Sequence, residues 1–297
     1  MEINLINILN FIFYVINIII TYGIGNAGWA NTPDNGELSE KYQTLITPNG
    51  SAFSIWGLIF VAEGIFAVAQ LFPKFSNEKM VMEGVKYWWV LACIFQCGWT
   101  IAFAFEVIWL SLVFMLLIWS SLAALLYSQY YTESKGTLLE FWLLRFPFAV
   151  HCGWLTAASA LNVNVVVVDI DQPADIQLAC GIISLAVLHA ISVWVVFGLQ
   201  KPNYTIAVVL AWANYFIYVE LEEPKQTLLD SGFSSDTLSG VRYAAVAVSC
   251  IILLQIVIRI PTDIYARKFK KQEPQQSDEV TNKKDEKQEG APVGDDV

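Results

Sequence analysis

Apolar stretches of roughly 18–25 residues recur along the chain, each about long enough to cross a hydrocarbon core of ~30 Å as a helix rising ~1.5 Å per residue. Polar segments punctuate them and predict spans at 5–22, 52–72, 88–105, 107–130, 139–163, 177–198, 203–221 and 239–261. The pattern therefore predicts an all-α, multi-pass membrane bundle of about eight helices. The third and fourth spans nearly touch at Glu106, which leaves room only for a tight hairpin. Asn203, Asn214 and Glu220 dilute the seventh. Residues 5–22, followed by Ala27-Gly28-Trp29-Ala30, imitate a signal peptide, but the leading Met-Glu-Ile-Asn carries an acid where a secretory signal has a basic segment. A retained first helix is expected.

Composition supports the reading: 56% of residues are hydrophobic and only 15% charged, against about 25% charged in soluble domains. The net charge of −10 resides mainly in loops and the C-terminal segment, which argues against a nucleic-acid partner. Cys93, Cys97, Cys152, Cys180 and Cys250 all fall in apolar stretches and imply no disulfide framework. Lys74, Lys79, Lys86, Lys135 and Lys201, with Arg267, Lys268, Lys270 and Lys271, fall on the side of both termini. The other side keeps only Lys41, Lys225 and Arg242 beside many acids, so both termini are expected in the cytosol. Residues 264–297, poor in aromatics and rich in Gln, Glu, Lys and Asp, are expected to be a disordered cytosolic tail.

No phosphate-cradling glycine loop, zinc-spaced His/Cys cluster or nucleophile elbow is present, and no catalytic residue is assigned. The distinctive residues lie within the spans. The second opens with Thr47-Pro48-Asn49-Gly50-Ser51-Ala52-Phe53-Ser54-Ile55-Trp56-Gly57-Leu58-Ile59-Phe60, and the third contains Gln96-Cys97-Gly98-Trp99-Thr100-Ile101-Ala102-Phe103. The fourth carries Trp119; the fifth reads Pro147-Phe148, then Trp154-Leu155-Thr156-Ala157-Ala158-Ser159-Ala160-Leu161-Asn162. Together these resemble the TspO/MBR family of tryptophan-rich sensory proteins, also called translocator proteins or peripheral-type benzodiazepine receptors. The match at Trp154, Ala157, Ala158, Leu161 and Asn162 is the most specific. Phe53 stands three residues before Trp56 where many members have four, and Pro147 lies seven before Trp154 rather than four. The resemblance covers residues 5–163, which predicts a five-helix bundle over 1–163 and three additional helices over 164–263.

The resemblance implies a pocket for a hydrophobic ligand, a tetrapyrrole or sterol, capped by the loop between the first two helices. Trp56, Phe60, Gln96, Trp99, Phe103, Trp119, Trp154, Ala158 and Asn162 are its candidate lining. At ~1.5 Å per residue, Trp56 lies about 6 Å below the non-cytosolic face, Trp154 and Asn162 share that half, and Trp99 lies near the midplane. Plain aromatic packing with an interfacial girdle is the competing explanation. Glu63, His151 and His189 fall near the bilayer centre, with Gln96 about a turn away. An isolated carboxylate there costs about 3 kcal/mol, so Glu63 must face inward, pair or be protonated. A proton or substrate path and a structural interhelical hydrogen bond both fit it. Two functions follow: binding, sensing or translocating an apolar small molecule as a receptor or transport protein, and proton-coupled secondary transport using Glu63 and His151. No cofactor or metal is expected beyond a tetrapyrrole as ligand. The expected partners are the lipid bilayer, that ligand and, where self-association occurs, a second copy in a homodimer.

Overall fold

The computed structural model describes residues 4–270, with side chains to residue 265. Among these residues the chain is helical with no strand. The elements are α1 (Leu5–Gly25), a short α2 (Asn35–Lys41), α3 (Ile55–Ala69), α4 (Trp88–Ala104), α5 (Ile108–Tyr131), α6 (Phe146–Asp169), α7 (Ala174–Val193), α8 (Tyr204–Glu220) and α9 (Ser235–Lys270). Single helical turns join onto several of them, so six apolar helical segments reach 20 residues or more, from Gly50–Ala69 to the 32-residue Leu138–Asp169. α4 and α8 are the two shorter apolar helices. The protein is an all-α multi-pass membrane bundle, and its helices fall on the predicted spans. The fifth runs beyond the expected residue 163, to Asp169.

Two compact units divide the chain, residues 1–253 and 254–297. The described part of the second is helical from Leu254 to Lys270, with Pro261 inside the helix. The expected tail beginning at 264 is therefore corrected: residues 264–270 belong to α9, while 271–297 lie outside the described residues.

The first unit is built around α6. α5, α8, α7 and α3 pack along it, and α1 packs against α4 and α3. Gly153 sets the approach of α8, because a Cβ there would meet the Ile206 Cα at 3.2 Å and Val209 at 3.0 Å. Small residues at crossing points are how membrane helices gain packing contact where lipid offers no hydrophobic drive. The hairpin at Glu106 turns through a positive φ of 57°.

The connection between α1 and α3, residues 26–54, is the longest non-spanning stretch among the described residues, and it is packed down on what we term the loop face. Asp34 caps α2 by accepting from the Gly36 and Glu37 amides, while Glu37 accepts from the Asp34 amide. This reciprocal cap satisfies first-turn donors of a helix too short to persist alone. Leu38 and Tyr42 then bury against Phe103, Ile108 and Val165. Further along, Leu45 and Ile46 pack with Leu185, Ile217, Leu221 and Leu228. The connection thus touches both the first five membrane helices and the later three.

Candidate functional site

Two carboxylates fasten the connection. On one side Glu106 accepts from Lys41 and from the Tyr42 hydroxyl at 2.7 Å. The Lys41 ammonium, and then the Tyr42 hydroxyl, hold the Glu106 carboxyl below its usual range. Burial, then the Glu106 bond, pushes the Tyr42 phenol up to about 12. On the other side the buried Glu220 accepts from Gln43 Nε2 at 2.9 Å and Asn49 Nδ2 at 3.0 Å. The Asn49 amide donates to the Phe216 carbonyl, and the Trp212 indole to the Ala52 carbonyl at 3.2 Å. α8 therefore pins the turn that leads into α3.

Beneath that turn the first aromatic group assembles. The Trp56 and Trp154 rings meet edge to face at 6.5 Å, Phe60 stacks on Trp56 at 5.3 Å, and Phe53 meets Trp154 at 5.5 Å. Trp56 and Phe60 are half-buried and Trp154 is buried. The His151 ring, one turn before Trp154 on α6, stands edge-on to Trp56 at 5.5 Å. Its Nδ1 lies 2.7 Å from Glu63 Oε1, and both side chains are sealed, at 1% and 0% exposure. The contact can be written as imidazole with carboxylic acid or as imidazolium with carboxylate. Both forms carry no net charge, which is what the membrane interior tolerates. Glu63 Oε2 and His151 Nε2 are buried without hydrogen-bond partners.

The remaining predicted lining gathers elsewhere on α6. The Trp99 indole donates to Asn162 Oδ1 at 3.1 Å, Asn162 Nδ2 donates to Ser111 Oγ at 3.3 Å, and Ser111 donates to the Ile108 carbonyl. Phe103 stacks on Trp99 at 5.1 Å. Trp119 donates to Thr156 Oγ1 at 3.0 Å. The convergence of three tryptophans and an amide in one place is replaced by two groups: Asn162 follows Trp154 by eight residues, about 12 Å along the axis and about 80° around it. Ala158 is half-buried between them in sequence. His189 stays apart from Glu63 and His151, half-buried on α7. Gln96 is buried, with neither amide atom hydrogen-bonded. The Glu140 carboxylate engages the Ser134 hydroxyl and the Lys135 amide rather than Arg145. Among the described residues no three His, Cys, Asp or Glu side chains gather as a metal site.

The two clearest hollows lie away from these rings. One, of about 660 Å³, is an apolar groove on the outer face of α3, lined by Val61, Gly64, Ile65, Val68, Phe72 and Leu143 among others. The second, about 450 Å³, lies by Lys86, Trp88 and Tyr127. The Trp56–Trp154 group is closed by its own ring contacts, so a guest would have to part the rings.

Sequence reasoning missed two features. Glu106 and Glu220 read only as a hairpin residue and a dilution of the seventh span, although an acid inside an apolar helix is itself a signal. The polar residues of the first span went unused, although Asn7, Asn10, Asn17 and Thr21 repeat at helical spacing and are all buried. 

No curated protein and no solved structure matches the chain. A family model described as TSPO-like protein matches residues 7–258, which reaches past the first five helices to take in α7, α8 and most of the apolar part of α9. With that match over most of its length, and tryptophans meeting over a buried polar pair, the chain belongs to the family of TSPO-like proteins.

Proposed function

We propose that this protein binds a flat apolar molecule, tetrapyrrole- or sterol-like, among Phe53, Trp56, Phe60 and Trp154, with Glu63 and His151 as the polar floor beneath it. The edge contact of Trp56 with Trp154 directly over His151 carries the reading. Aromatic faces and edges grip planar ligands, and a single polar group at the base fixes orientation. The tied connection, residues 26–54, roofs the site. The acidic loop face disfavours a multiply anionic guest. Charge asymmetry favours the lysine-rich face opposite as the cytosolic one.

Titration of the protein in nanodiscs with protoporphyrin and with a sterol tests this. Saturable quenching of tryptophan fluorescence that weakens in Trp154→Ala supports it; no saturable change with either ligand discards it.

A second reading is proton-coupled transport, favoured by one observation: a carboxylate and an imidazole at 2.7 Å, both sealed, each with an unpartnered atom. Such a pair can take and release a proton without either member standing alone in the hydrocarbon. Uptake into proteoliposomes driven by a pH gradient, lost in Glu63→Gln, supports it; unchanged coupling in that variant removes it.

A further inference from the structure

On α1, Asn7, Asn10, Tyr14, Asn17 and Thr21 alternate at spacings of three and four residues, the repeat that places side chains on one seam. Asn7, Asn10 and Asn17 are at 0% exposure and Thr21 at 8%, while Ile8, Ile12, Val15, Ile16 and Ile19 face outward. A membrane helix with this polarity has an apolar coat and a polar inner stripe along nearly its whole length.

The stripe divides at Tyr14. Toward the N-terminus it is clasped: Asn7 and Asn10 both donate to Gln70 Oε1 at 3.1 Å, and Gln70 Nε2 donates back to the Asn7 carbonyl at 2.8 Å, which leaves Asn10 Oδ1 as the one unpartnered side-chain atom of the three. Tyr14 stacks on Trp89 at 5.8 Å and donates to the Phe60 carbonyl at 2.7 Å. Its hydroxyl fills the space beside Gly64, where a Cβ would lie only 2.5 Å away.

Toward the loop face the stripe is polar but unsatisfied. Thr21 donates to Asn17 Oδ1 at 3.0 Å and lies 3.4 Å from Thr100 of α4, and the Cys97 thiol reaches Asn17 at 4.0 Å. Asn17 Nδ2 and both amide atoms of Gln96, which sits between Cys93 and Thr100 along α4, are buried without partners. At the mouth, Asn35 of α2 and Thr100 both lie against Gly25, and Asn35 Oδ1 is unpartnered too. Tyr14, next along the stripe, bonds the Phe60 carbonyl and lies against Gly64, so the seam meets α3 at the turn that carries Glu63. Polar atoms at hydrocarbon depth need partners, and where a run of them lacks protein partners, water supplies them.

We propose that the seam between α1 and α4 is a hydrated half-channel, open from the loop face past Thr21, Thr100, Asn17 and Gln96 to Glu63, and closed toward the opposite face by the Asn7–Asn10–Gln70 clasp. A hydronium delivered along it protonates Glu63 and leaves as water; the reverse step returns the proton to the same side. The ionisable groups facing Glu63 are Tyr14 from α1, Cys93 from α4 and His151 from α6. Glu63 thus exchanges protons with one compartment. This rests on the pair being the proton-handling centre of the second reading; the water path itself does not.

Cys97 is a native probe of the seam. With the other four cysteines changed to Ala, the full chain in vesicles is exposed to a small, membrane-impermeant ammonium methanethiosulfonate from each face in turn, and labelling is read by mass. Modification from the loop face at least about tenfold faster than from the other, slowed about tenfold by Asn17→Leu, is expected, because thiol modification follows aqueous access. Thr100→Cys, nearer the mouth, serves as a second probe should Cys97 be too deep. Neither probe reacting from the loop face, or Cys97 reacting equally from both, overturns the half-channel. Labelling with no effect of Glu63→Gln on proton movement upholds the path and removes the proton-handling reading. Proton coupling with both probes silent overturns the path and leaves that reading standing.

Discussion

Glu106 and Glu63 are both carboxylates bonded to a basic partner from another part of the chain, but their surroundings differ. Glu106 and Lys41 keep 31% and 56% of their side chains exposed; Glu63 and His151 keep 0% and 1%. An exposed pair exchanges solvation for a bond of similar strength, so it contributes little net stability and is easily remade. A sealed pair gains little over apolar replacement, yet removing one member strands the other at a cost of about 3–5 kcal/mol. The first suits a fastener that can open. The second suits a fixed contact in the membrane interior.

The largest expected effect breaks the inner pair asymmetrically. His151→Leu leaves the Glu63 carboxyl without its partner and should lower stability by about 3–5 kcal/mol, measured by denaturant unfolding in detergent. The double replacement Glu63→Leu with His151→Leu should recover most of that loss and, under the proton-coupled reading, abolish coupling. A double variant as unstable as the single one would mean that the pair is needed for packing rather than for proton chemistry.

Next is Glu220, the buried fastener of the loop face. Glu220→Ala removes a charged acceptor from Gln43 and Asn49, each hydrogen bond to a charged group being worth about 1.5–3 kcal/mol. Hydrogen exchange of residues 42–54 should accelerate while that of α3 and α6 stays slow. Uniform acceleration across the bundle would show that Glu220 supports the fold generally.

Trp99→Phe should follow, at about 1–3 kcal/mol, because it leaves the buried Asn162 Oδ1 without its donor. Trp119→Phe should cost less, since the Thr156 hydroxyl keeps its bond to the Cys152 carbonyl. The same two variants separate the aromatic groups functionally. If the ligand sits over His151, neither should weaken porphyrin quenching as Trp154→Ala does.

The contrast between the two carboxylates also marks what the sequence could disclose. Span length and the charge balance of the loops are properties of one segment at a time, so the multi-pass bundle was legible throughout. Counting rise along the helices put Trp56, Trp154 and Asn162 in the non-cytosolic half and Glu63 and His151 near the bilayer centre, which fixes depth. Depth does not fix azimuth, so it did not disclose that Trp56 stands edge-on to His151 across those two levels, or that Trp99, expected near the midplane, bonds Asn162 eight residues beyond Trp154. The pairing of Glu63 with His151 joins residues 88 apart and depends on how α3 and α6 are rotated. The fasteners were hidden for a related reason. Glu106 and Glu220 gain their roles only when the connection folds back over the hairpin and α8. The α1 stripe was readable from spacing alone, but strong outward apolarity at Ile8, Ile12 and Ile19 masked it in any average over the span.

The smallest effect, and the one that sharpens the comparison most directly, is the pH response of the outer fastener. Lys41, then Tyr42, hold the Glu106 carboxyl below its ordinary value. A carboxylate depressed by folding contributes stability that is complete above its unfolded value and is lost as pH falls through the folded one. The Tyr42 phenol is raised from 10.0 to about 12, so its contribution is complete below the former and fades as pH climbs toward the latter. Protection of Leu38 and Tyr42 from hydrogen exchange should therefore hold through neutral pH and decline on acidification below the usual carboxylate range, and again in strong alkali. Lys41→Met should narrow the acid limb by raising the pH at which protection is lost, and Tyr42→Phe should leave only the alkaline loss that follows deprotonation of Lys41, whose ammonium the Glu106 bond holds above its ordinary value. In each case α3 and α6 should stay protected, because the fastener is exposed and the bundle beneath does not depend on it. Acid release of the connection that also exposed α6 would make the outer and inner pairs one cooperative unit, and the distinction between an adjustable fastener and a fixed core would fail.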